Sequence, residues 1–112
     1  METNRKRFVG GMRYGGRRGL TSGTINLTWP LAVIEIDRDN VLVSPRGVLN
    51  KVLKAVEMPR GTINEVETGY GLSKAGIRFR LEGPKDGTVF WTVGRTKPAV
   101  IEALRQLGLR VV

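Results

Sequence analysis

Cysteine and histidine are both missing from this chain of 112 residues. Without cysteine there is neither a disulfide nor a thiolate metal site, and nothing argues for an oxidising compartment. Without histidine the chain loses the usual imidazole base, the commonest metal ligand and the one side chain that titrates unperturbed near neutrality. No apolar run approaches the roughly 18–20 residues that span a bilayer. The opening METNRKRFVGGMRYGGRRG begins with a basic patch and has no apolar stretch behind it, so it does not read as a secretory signal. The Asn26-Leu27-Thr28 sequon accordingly reads as a coincidence within a strand. These absences set the expectation of a cytoplasmic protein with no transmembrane segment, no cofactor, no metal site and no catalytic set.

What is present suits one domain. A chain of this length buries roughly two thirds of its unfolded surface, enough for a core without staples. Apolar residues make up 40% and charged residues 26%, which is globular. The formal charge of +9 favours acidic partners. It is concentrated at the start, where Arg5, Lys6, Arg7, Arg13, Arg17 and Arg18 stand against Glu2 alone within the first 20 residues. Residues 1–18 therefore form a basic, Gly/Arg-rich segment ahead of a single domain over 19–112. Between Phe8 and Gly23 the glycines permit a bent edge strand or hairpin, and equally a flexible arm.

The hydrophobic pattern is that of strands. Ile25 and Leu27 fall on odd positions, whereas Ile34 and Ile36 fall on even ones, with Trp29-Pro30 between them. A strand that keeps one face inward changes phase only by inserting residues, so a bulge is expected at Trp29-Pro30, bending the strand as at a barrel corner. Asp37-Arg38-Asp39-Asn40 reads as a turn, Val41 and Val43 resume the inward face, and Ser44-Pro45-Arg46-Gly47 ends the strand. Residues 48–56 suit a loop or short helical turn, followed by a strand over 55–58 that Pro59 stops. Residues 62–70 read as an irregular strand, since Ile63 and Val66 stand three apart. Ile77, Phe79 and Leu81 alternate with Arg78, Arg80 and Glu82, the Pro84–Gly87 turn follows, and residues 88–94 return. One helix closes the pattern. Pro98 suits its first turn, Val100, Ile101, Leu104 and Leu107 make its stripe, and Gly108 stops it after about 15 Å. Such a helix would cover an open barrel end.

In order and spacing, TWPLAVIEI, the turn and VLV, MPRGTINEVE, GIRFR, VFWTVGR and PAVIEALRQLG resemble segments of small bacterial proteins with a pleckstrin-homology-like (PH-like) barrel. The resemblance covers about residues 19–112. It implies a bent antiparallel barrel of about seven strands capped by the helix, acting as a binding module without catalysis. Lipid-binding members of that superfamily carry alternating basic residues in and after the first hairpin. Arg13, Arg17 and Arg18 stand near the corresponding place, but Arg17 and Arg18 are adjacent.

The candidate binding residues are basic: Arg5, Lys6, Arg7, Arg13, Arg17 and Arg18 in the arm, and Arg78 and Arg80 on an outward strand face that could join Lys74 or Arg95. RYGGRRG loosely resembles the Arg-Gly segments of RNA-binding proteins, where Arg pairs with phosphate and stacks on bases. A solvated edge carrying Arg for solubility is the alternative. Glu35, Asp37 and Asp39 lack the glycine of a calcium loop and read as outward residues running into a turn. GRTKP lacks a full phosphate loop, and Thr96 serves there as a helix cap. Trp29 and Trp91 are expected in the core. The functional expectation is a non-enzymatic module recognising an acidic protein or an anionic headgroup. The alternative is a small nucleic-acid-binding protein that uses the basic arm, and homo-oligomers by strand pairing are a further expectation.

Overall fold

The computed structural model describes residues 5–15, 24–51 and 53–112. Seven strands run in chain order: β1 Lys6–Gly15, β2 Thr24–Ile36, β3 Asn40–Pro45, β4 Val56–Pro59, β5 Ile63–Tyr70, β6 Gly76–Leu81 and β7 Thr88–Trp91. One helix, α1 Thr96–Gln106, follows them. Short 3-10 turns occupy Gly47–Lys51 and Arg60–Thr62. The ladders between the strands are antiparallel, and the spatial order is β4-β3-β2-β1-β7-β6-β5.

The phase switch at Trp29-Pro30 is a large bulge. Gly10 pairs with Ala32 and Met12 with Leu27, so Gly11 alone faces residues 28–31. Four residues against one leave an odd surplus, which turns Leu27 inward on one side of the bulge and Ala32, Ile34 and Ile36 inward on the other. The Trp29-Pro30 peptide is cis. In the next turn the Asp37 carboxylate accepts the backbone N–H groups of Asp39 and Asn40, each at 2.9 Å, closing the β2–β3 connection from its own side chain.

The PH-like barrel suggested by the resemblance is overturned, because the sheet is not closed. Its ends are β4 and β5, which share no ladder even though only Arg60–Thr62 separates them in sequence. The cause lies at the outer edge of β5, which is already taken. Val66 N–H donates to Arg110 O at 2.8 Å, Val112 N–H to Val66 O at 2.8 Å, and Thr68 N–H to Val112 O at 2.9 Å. A parallel bridge between Val66 and Val111 thus stands where barrel closure would need β4. Mainly β with one C-terminal helix holds; a helix capping a barrel does not.

Instead α1 completes the single core. Val100, Ala103 and Leu104 join Met12, Ile34, Val41, Val43, Met58, Val66, Ile77, Phe79 and Phe90 in one buried cluster. Two local expectations also change. Arg95, not Thr96, is the residue before the first turn of α1, and no side chain caps the helix there. Trp29 is 55% exposed, because it sits in the bulge and has left the inward ladder. Trp91 is half-buried on the outer face, since alternation along β7 gives the core position to Phe90. No helix among the described residues is long and apolar enough to cross a membrane.

Candidate functional site: an aromatic and arginine face

Residues directly opposite each other across a ladder share one face of the sheet. Trp91 of β7 faces Gly11 of β1 on one side and Gly76 of β6 on the other, and Gly76 in turn faces Tyr70 of β5. One row on the outer face therefore reads Gly11–Trp91–Gly76–Tyr70. The next row reads Arg13–Val89–Arg78–Glu67. Two residues of β1, β7 and β6 separate the rows, whereas β5 needs one more, because its register slips between Thr68 and Tyr70. Gly69, at φ 77°, absorbs the slip and returns Tyr70 to the side of Glu67.

The glycines in the aromatic row set its shape. A Cβ on Gly76 would stand 2.7 Å from Trp91 Cζ3, and one on Gly71 would stand 2.8 Å from the same atom. The indole thus lies down on bare backbone. Trp91 and Tyr70 are tilted by 39° with centroids 5.9 Å apart, and the Arg78 guanidinium carbon sits 4.5 Å from the Tyr70 ring centroid. Arg78 Nε donates to Glu67 Oε1 at 2.7 Å, which fixes the cation over the ring.

The other basic candidates divide into separate groups. Arg80 Nε donates to Asp86 Oδ1 at 2.9 Å, and Arg80 also stands 3.6 Å from Glu67. The hydrogen bond to Asp86 holds Arg80 above its already high pKa, and the same bond holds Asp86 below the usual carboxylate range. Arg5 lies 3.7 Å from Glu35 and 3.8 Å from Asp37, and Arg7 lies 3.5 Å from Glu35. Half-exposed pairs of this kind add little stability, but they spend the charge of Arg5 and Arg7 locally. Arg13 is exposed in the arginine row, and Arg17 and Arg18 lie outside the described residues. Lys6 lines a cleft of about 350 Å³ with Arg38, over a floor of Ile36, Ala103 and Leu107. That cleft abuts the C-terminal end of α1, where helix carbonyls favour cations, so Lys6 and Arg38 are explained without an anionic ligand.

The structure therefore brings Arg13, Arg78 and Arg80 together on the outer face, sets Arg5 and Arg7 against Glu35 farther along β1, and turns Lys6 to the cleft beside α1. Among the described residues no group of three or more acidic side chains is arranged to hold a metal ion. Asp37 closes the expected turn, and the ion pairs of Glu35 and Asp37 with Arg5 and Arg7 emerge only in the structure. Trp91 and Tyr70 were missed as a surface pair. The alternation around Phe90 and the glycines at 71 and 76 were the available signals, but pairing them required the register of β7 between β1 and β6. No family model, curated protein or solved structure matches this chain.

Proposed function

We propose that this protein is a non-enzymatic interaction module that receives an anionic partner on the outer face of β1, β7, β6 and β5. The carrying observation is the charge of the segments that build this face. In β1, over residues 70–81 and in β7 there is no Asp or Glu, whereas Arg13, Lys74, Arg78 and Arg80 stand there. Among the described residues its carboxylates come from the edge strand β5, where Glu65 and Glu67 stand opposite Arg80 and Arg78, and from the turn before β7, where Asp86 meets Arg80. An acidic protein surface or an anionic headgroup in the cytoplasm meets such a face with complementary potential. Self-association by strand pairing has little support, since β5 is covered by residues 110–112 and β4 offers four residues ending in Pro59.

The test separates this face from net charge. Polyglutamate is titrated at low salt with the parent and with two double variants of equal charge change. Arg13→Glu with Lys74→Glu alters the face. Lys51→Glu with Lys54→Glu alters the connection before β4, at the far end of the sheet order. The first pair is expected to weaken binding at least tenfold more than the second. Equal weakening would mean that net charge alone drives binding, and the reading would be abandoned.

A further inference from the structure

Resting on the anionic-partner reading, we propose that the partner is a single-stranded nucleic acid. Its bases stack on Trp91 and Tyr70, and its phosphates meet Arg13 and Lys74. An acidic protein would use the cations of this face but would leave its aromatic row without a purpose. Trp91 is not part of the core, yet Gly71 and Gly76 lie against it where a Cβ would stand within 2.9 Å of the indole. Glycine inside strands is unfavourable unless something must approach the backbone closely. Here that something is the indole itself, laid against the sheet as a flat platform beside Tyr70.

Unpaired bases offer a π-face to such a platform, whereas bases stacked in a duplex do not. Glu67 already neutralises Arg78, whose guanidinium extends the planar surface over Tyr70. Phosphate contact accordingly falls to residues outside the ion pairs. Arg13 flanks Val89 on the side opposite Arg78, and Lys74 lies in the loop that begins at Gly71 under Trp91. Neither belongs to an ion pair among the described residues. That loop is held in place, since Lys97 Nζ donates to Lys74 O at 2.8 Å and Thr92 N–H to Ala75 O at 3.0 Å. Leu72, fully exposed at its tip, adds an apolar contact beside the row.

The experiment uses the full chain carrying Trp29→Phe, which removes the exposed indole of the bulge and leaves Trp91 as the only one. Single-stranded oligouridylate is titrated while Trp91 emission is followed, with polyglutamate as the parallel probe. Saturable quenching by oligouridylate alone is expected, with affinity falling steeply as salt rises. Tyr70→Leu, checked for folding by circular dichroism, is expected to weaken oligouridylate binding about tenfold and to leave polyglutamate binding unchanged. Unchanged Trp91 emission on oligouridylate binding, or full affinity in folded Tyr70→Leu, would overturn the proposal. Polyglutamate binding that persists beside a failure with oligouridylate removes the nucleic acid and keeps the anionic-partner reading. Failure with both probes removes both.

Discussion

Asp37 and Gly10 show how single residues set the limits of this structure. The Asp37 carboxyl is held below its ordinary range chiefly by the N–H groups of Asp39 and Asn40, against a smaller opposing effect of burial and with help from Arg5. Because the folded pKa is the lower one, its stabilisation is present above about pH 4 and is lost as pH falls through the folded value. Asp37→Asn keeps an acceptor for the turn and removes that proton linkage. Urea unfolding at pH 7 and pH 3 is expected to show a smaller acid loss in Asp37→Asn than in the parent; equal losses would take Asp37 out of the acid response. At Gly10 a Cβ would stand 2.2 Å from Trp91 O and 2.6 Å from Phe90 Cζ. The first of these is backbone and cannot step aside. Gly10→Ala is expected to cost about 2–3 kcal/mol. Gly61→Ala, where a Cβ meets nothing within 4 Å, should stay within about 0.5 kcal/mol on the same denaturant curves.

Among the elements, the ends of the sheet decide what the molecule can pair with. Residues 110–112 satisfy Val66 and Thr68 along the outer edge of β5, and the Thr68 hydroxyl adds a bond to Val112 O at 2.9 Å. At the other end, Lys85 Nζ donates to Glu57 O at 2.6 Å, so a turn from one half of the sheet covers part of the β4 edge in the other. Removing residues 110–112 would uncover a hydrogen-bonding edge. The truncated chain is expected to lose about 1–3 kcal/mol of stability and to self-associate in sedimentation velocity as concentration rises. A truncated chain that stayed monomeric and fully stable would show that the covering segment is dispensable.

Over the whole molecule, local pattern was legible and long-range closure was not. The bulge at Trp29-Pro30, the Asp37 turn, the irregular start of β5 and the helix ended by Gly108 all follow from short stretches of sequence. The slip near Asn64 is what lets Ile63 and Val66 both face the core from three residues apart. Nothing so local tells whether β4 meets β5 or whether residues 110–112 arrive first, and the expected barrel failed on that competition. The candidate site was half legible for the same reason: Arg78 and Arg80 stood out as an outward pair and Arg13 as part of a basic arm, but the row that includes Trp91 exists only once β7 docks between β1 and β6. That docking has a consequence during synthesis. As the chain leaves the ribosome, the ladders from β1 through β2 and β3 to β4 can form early, while the second edge of β1 waits until nearly the whole sequence has been translated. Arg7 and Arg13 lie along that waiting strand, and charge on an open edge repels neighbouring nascent chains. Arg13, the cation that the proposal gives to a partner in the finished protein, thus has a second use as a guard while β1 is being made.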